Sequence, residues 1–417
     1  MSEPAPAGPA PWVAAVNRGE VLPIAEVAAA PFTLDHLAGG VAAARGEPVA
    51  AVRDVLDDDT VATLDVLLPA LEHEARLSVL GRFVTHRFLA RLLAQRVALE
   101  AWTRTDPGVA DEVVAAPWFV VGPPRSGTTA LYAMLAADDR LRAPEGWELL
   151  WPVPPPALAG DVTARIDLAE VELRTPQAVT GGLDAIHVYA ARRPKECLSA
   201  MSLAFRSEEF TARYHVPTYA AWLAAADPAA AYVMHRRVLQ VLQRGAPARR
   251  WVLKSPVHLH ALPTLLATYP DARIVVTHRD PAAFLASVSS LIVTLRSVHS
   301  EHVDPADVGR YHLDLYAGSL DRLVDRIDDG TLDPARLVWV PHTDLVADPS
   351  AVLRGLYGRF GVDLPDDLLP TLLAAGDASG EAGGHRYAAA DFGLDPDEIT
   401  ARFARSSARL AALGERP

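Results

Sequence analysis

The chain has 417 residues, half of them hydrophobic, with 39 Lys and Arg against 52 Asp and Glu, for a formal net charge of -13. That balance argues against nucleic acid or an anionic membrane as the principal partner, though it leaves room for a local basic pocket. The single cysteine, Cys197, excludes an intrachain disulfide and fits a reducing cytoplasm, and no apolar run reaches the ~18 residues of a membrane span.

Residues 1–20 are rich in Pro, Ala and Gly and lack the basic and apolar blocks of a signal peptide, so they are expected to be loosely ordered. Residues 21–112 read as a helical region. Apolar spacing through Leu64, Leu67 and Leu71, then Val84, Phe88 and Leu92, predicts helices, and Pro69 is expected to kink or break the first. This region reads as a packing layer or a dimer surface, which leaves a homodimer open.

An α/β core is expected over 113–365. Trp118 to Val121 is a short buried strand, followed by Gly122-Pro-Pro-Arg-Ser-Gly127 and a helix that opens at Thr128-Thr129. Two glycines bracket four residues, as in a Walker A loop, so backbone N–H groups and the helix N-terminus can converge on a phosphate or sulfate. A nucleoside triphosphatase would carry Lys and then Ser or Thr after the second glycine. Here Thr128 and Thr129 stand in those places, and the nearest cation is Arg125, inside the loop. That departure turns the reading away from ATP and GTP.

Two carboxylates follow in Arg142-Ala-Pro-Glu145-Gly-Trp-Glu148. A helix-rich insert spans about 153–245 and carries Phe205, Phe210, Tyr214, Tyr219 and Trp222, which suits an acceptor pocket or lid. Beyond it stand Leu253-Lys254-Ser255-Pro256-Val-His258 and a β-branched run, Arg273 to Thr277, with the look of a central parallel strand. Arg279 falls just past the C-terminal end of that strand, where open α/β sheets bind ligands. Pro281 suits the first turn of the next helix, and Ser287 comes eight residues after Arg279. Leu337 to Val340 is a further short strand. Residues 366–417 hold a glycine-containing basic stretch, Gly383-Gly384-His385-Arg386, and a final helix.

The loop, with Pro124, Arg125, Ser126, Gly127, Thr128 and Thr129, resembles the 5′-phosphosulfate loop of sulfotransferases that use 3′-phosphoadenosine-5′-phosphosulfate (PAPS). Arg279 with Ser287 resembles the 3′-phosphate site of the same family. The resemblance, to its bacterial members, implies a doubly wound P-loop sulfotransferase fold with a mostly parallel sheet, a helical N-terminal region and a helical insert. It implies PAPS as donor and PAP as product, no metal, a small or medium and apolar hydroxyl acceptor, and Arg386 in a C-terminal loop that closes over the nucleotide. Lys254 occupies the place of the lysine that approaches the bridging oxygen, but Pro256 replaces the histidine base of the cytosolic enzymes. Other members use a glutamate after the first loop helix. The base is therefore expected at Glu148, with Glu145 and His258 as alternatives.

Two other readings stay open from the residues. One is a P-loop nucleotide kinase, opposed by the missing lysine and by the Arg279/Ser287 pair. The other is a protein of this fold that only binds nucleotide, or whose sulfation activates a leaving group.

Overall fold

The computed structural model describes residues 10–21, 23–180, 183, 188–379 and 388–414. At its centre lie five strands: β1 (Trp118–Val121), β2 (Leu141–Arg142), β3 (Arg250–Lys254), β4 (Arg273–His278) and β5 (Leu337–Pro341). All pair in parallel, in the order β2-β3-β1-β4-β5. Parallel neighbours require crossovers, and the helices that supply them cover both faces, which is why the strands are apolar without interruption. Phe119, Val121, Leu253, Ile274 and Val276 share one core. Trp118, Val120, Val252 and Val275 face the other, so the period-two alternation of the strands divides their side chains between two helix layers. The fold is the doubly wound α/β class expected.

β2 is the element the sequence did not disclose. It is two residues long, too short for a periodicity, and exists because its pairing with β3 brings Leu141 opposite Arg250 and Arg142 opposite Trp251. Helix Asp58–His73 also departs from expectation: it runs unbroken through Pro69. The Asp57 carboxylate caps its start, accepting from the Thr60 amide at 2.7 Å, and Leu64, Leu67, Leu68 and Leu71 are buried along it. Packing of that face outweighs the one backbone hydrogen bond that proline removes.

The N-terminal helices and the insert form a third core together. Leu64, Leu67, Phe88 and Leu92 meet Leu203, Phe205, Phe210 and Tyr219. Within it the Tyr219 hydroxyl donates to the Phe205 carbonyl at 2.7 Å and accepts from the Ser207 amide at 3.1 Å, so the ring is buried without leaving its oxygen unpaired. This unit packs beside the sheet and lends walls to the cavity described next.

Candidate active site

The C-terminal ends of β1, β3 and β4 lie side by side and carry the site. β1 runs into the glycine loop, and the loop into helix Thr128–Ala136, whose N-cap is Gly127 with no side-chain cap. The first-turn amides of that helix are therefore left to an external acceptor. Gly122, Arg125 and Gly127 all have positive φ, at 149°, 66° and 86°. The two glycines have a second constraint, since a Cβ at Gly122 would lie 2.4 Å from the Thr277 carbonyl oxygen and one at Gly127 would lie 2.7 Å from Leu345. Gly122→Ala is expected to destabilise the fold by about 1–3 kcal/mol, from backbone strain and overlap with strand β4. An unchanged urea midpoint for this variant would show that the loop tolerates a side chain there.

Ser126 is fully buried and its hydroxyl holds the loop to the sheet, donating to the Pro123 carbonyl at 2.6 Å and meeting the Thr277 hydroxyl at 2.6 Å. Its side chain is thus committed to the protein, which leaves its backbone as the part that can meet an anion. Arg279 follows β4 directly and donates to the Arg125 carbonyl at 2.8 Å. Arg125 Nε in turn donates to the Ser287 hydroxyl at 3.1 Å, on helix Pro281–Ser297. Three residues from two separate motifs are therefore contiguous, and two of them are cations at the end of the sheet.

Lys254 closes β3 with its side chain almost wholly buried. Its Nζ lies 2.5 Å from Glu196 Oε1 and 3.2 Å from Thr129 Oγ1. Glu196 is brought there because the Cys197 amide, next in the chain, donates to the Lys254 carbonyl at 3.0 Å. Cys197 itself is buried, and burial pushes its thiol well above the ordinary range, which makes it inert.

A cavity of about 910 Å³ extends from Pro124, Arg125, Thr129 and Lys254 to Val41 and Phe88 of the N-terminal helices. Val288, Ile292 and Leu295 from helix Pro281–Ser297 supply much of its apolar wall, and Glu196 lies on it beside Lys254. None of the three expected base residues does. Glu148 is buried between Arg142, at 2.5 Å, and the Glu145 amide, which donates to its other oxygen at 2.9 Å. Both carboxylate oxygens are engaged in holding the turn that starts helix Gly146–Leu150. The Glu145 carboxylate accepts from Trp147 Nε1 at 2.6 Å, and burial raises its pKa above the usual range. His258 is fully buried against Phe119, with its Nδ1 2.8 Å from the Tyr232 hydroxyl, and burial holds its pKa well below the usual value. Arg386 lies outside the described residues.

Glu196 falls within the helix-rich insert at about 153–245, and no local motif singled it out as a site residue. The charged run Arg193-Pro-Lys-Glu196 in an otherwise apolar and aromatic segment was the available signal. Nothing local in it shows that the Cys197 amide docks on the end of β3. Among the described residues no group of His, Cys, Asp or Glu is arranged to hold a metal ion, and no helix is long and apolar enough to cross a membrane.

Residues 117–366 match the model of the sulfotransferase family. The chain is 27% identical over 286 residues to the omega-hydroxy-beta-dihydromenaquinone-9 sulfotransferase Stf3 of Mycobacterium tuberculosis, covering 63% of this chain and 68% of that one. It resembles the crystal structure of sulfotransferase STF1 from the same organism, at 31% identity and a TM-score of 0.76, over 89% of this chain and 98% of that one. Sulfotransferase STF9 from Mycobacterium avium shares the fold, with a TM-score of 0.75 at 23% identity over 91% of this chain and 96% of that one.

Proposed function

The chain belongs to the sulfotransferase family, and we propose that it moves a sulfuryl group from PAPS to the hydroxyl of a lipophilic small molecule, with Glu196 as the base. The observation that carries this reading is the meeting of Lys254, Glu196 and Thr129 where the glycine loop opens into an apolar cavity. The residues present suit the donor. The amides of the loop and of the first turn of helix Thr128–Ala136 would hold the 5′-phosphosulfate, with Arg125 beside them, and Arg279 with Ser287 would hold the 3′-phosphate. When bound, PAPS supplies an activated sulfuryl group whose leaving group is already a nucleotide phosphate.

The chain's own residues then have defined tasks. Glu196 accepts the acceptor's hydroxyl proton as that oxygen bonds to sulfur, and the sulfur–oxygen bond to the phosphate breaks. Lys254 turns from Glu196 toward the oxygen that is released and neutralises the new charge. The Thr129 hydroxyl keeps Nζ over the loop while it turns. Apolar walls exclude water and align the hydroxyl, the positioning on which transfer of such a group depends. The relative Stf3 is described by its name as acting on an omega-hydroxylated menaquinone derivative. A terminal hydroxyl on a long apolar body fits the cavity here as well. The acidic chain and its buried lone cysteine support a cytoplasmic setting.

The test is transfer of labelled sulfate from PAPS to long-chain primary alcohols, with their methyl ethers as controls. Label is expected in the alcohols and not in the ethers. Release of PAP with the label recovered as inorganic sulfate would point to a protein that eliminates the sulfate it adds, and no release of PAP would leave one that only binds nucleotide.

A further inference from the structure

The cavity carries more charge than its apolar walls require, and most of that charge is already paired. Arg91 Nε meets Glu172 at 2.7 Å and its Nη1 donates to the Leu150 carbonyl at 3.0 Å. Arg213 meets Glu209 at 2.6 Å, and Glu209 also accepts from the Ser202 hydroxyl at 2.8 Å. Burial pushes the Glu209 carboxyl up, but Arg213, Lys195 and Ser202 outweigh it and hold its pKa down to about 2, so both members of this pair are charged at neutral pH. Lys254 has Glu196.

Lys195 is different. It is half-buried and lines the cavity, and its ammonium lies 5.2 Å from the centre of the Tyr189 ring. Among the described residues it has no carboxylate within salt-bridge distance and no acceptor for its side-chain protons, although Glu209 and Glu196 lie close enough for their charges to act on it. Its backbone is pinned, with the amide donating to the Pro144 carbonyl at 2.9 Å and the carbonyl accepting from the Tyr132 hydroxyl at 3.2 Å. The side chain is therefore placed in the cavity and cannot leave it by a swing of the chain. Burying an ammonium is costly unless an anion completes it, and burial does draw the Lys195 pKa below the usual range.

We propose that Lys195 receives a single carboxylate of the acceptor, so that the substrate is an amphipathic hydroxy acid: an apolar body bearing the hydroxyl to be sulfated and, apart from it, one carboxylate. The inference rests on the reading of the cavity as the acceptor site. The Lys195 ammonium has donors to give where Arg91 and Arg213 have given theirs to Glu172 and Glu209, so it can take the oxygens of a carboxylate. Tyr189, packed under the ammonium, adds a face that favours a cation and an apolar chain together.

The experiment compares a long-chain ω-hydroxy fatty acid with its methyl ester, in the full-length protein and in Lys195→Met and Lys195→Arg. Turnover is followed by labelled sulfate, and binding of the matched non-hydroxylated fatty acid and its methyl ester is followed by calorimetry. The wild type is expected to prefer the acid by about tenfold or more, as a charge-assisted contact gives. Lys195→Met should lose that preference while leaving the ester and PAP affinity unchanged, and Lys195→Arg should keep it. Equal treatment of acid and ester by the wild type, or no binding of the acid, overturns the proposal. So does a fall in PAP affinity in Lys195→Met, which would place the lysine at the nucleotide. Failure of the proposed function itself would show separately, as absent transfer from PAPS to any alcohol.

Discussion

Glu196→Gln is expected to slow sulfuryl transfer by roughly 10²–10⁴, the range associated with loss of a general base, while PAP affinity stays within a few-fold of wild type. Glutamine has the same shape, and its amide oxygen can still accept from Lys254 Nζ, so the local structure should survive the change. What disappears is the ability to take a proton beside the acceptor. The contrasting variant is Glu148→Gln, which alters a carboxylate held by Arg142 and by the Glu145 amide, off the cavity wall. It is expected to lower stability by about 1–3 kcal/mol through loss of a charge-assisted buried contact and to leave the turnover of the remaining folded enzyme near normal. Single-turnover rates with PAPS and urea unfolding of both variants separate the two roles. If Glu148→Gln lost the chemistry and Glu196→Gln kept it, the base would lie at Glu148 and the cavity would have to reopen toward it.

Arg279→Ala is expected to weaken PAP binding by about 2–4 kcal/mol, or about 30- to 1000-fold, because a charge-assisted phosphate contact is lost. The structure adds a discriminating detail. Arg279 donates to the Arg125 carbonyl, so its removal also loosens the glycine loop. Loosening of the loop alone would weaken PAP and ADP alike. Loss of a 3′-phosphate contact weakens PAP and spares ADP, which lacks that phosphate. Calorimetry with both nucleotides is expected to show the ratio of their affinities collapsing in the variant. An unchanged ratio would remove Arg279 from the 3′-phosphate site.

How much of this was legible in the sequence depended on how local each signal was. The glycine loop, β1, β3 and β4 could be read because each is encoded by adjacent residues: an apolar run, then a turn that only glycine permits, then a helix start. The Arg279–Ser287 spacing was readable because a helix converts sequence distance into position. The contact of both with Arg125 then followed from β1 and β4 being neighbours. The proposed base was not readable in the same way. Glu148 looked suitable from its place in the chain, yet its two oxygens had been taken by the turn it helps to build. Glu196 reaches Lys254 only because the insert folds back and docks an amide on the end of β3, a contact across 57 residues with no periodic trace. Ser126 is a similar case, since a hydroxyl in a phosphate loop reads as a ligand until Thr277 is seen to hold it. Pro69 shows the opposite error, a local rule overruled by the buried leucines on either side.

The central claim, a site built for a 3′-phosphorylated sulfate donor, is tested most directly by calorimetric titration of the wild-type protein with PAP, ADP and ATP, with and without Mg²⁺. Micromolar PAP affinity that is independent of Mg²⁺, with ADP and ATP far weaker, is the result expected. Equal affinity for PAP and ADP, or tight ATP binding that requires Mg²⁺, would contradict it and place the chain's chemistry with phosphoryl rather than sulfuryl transfer.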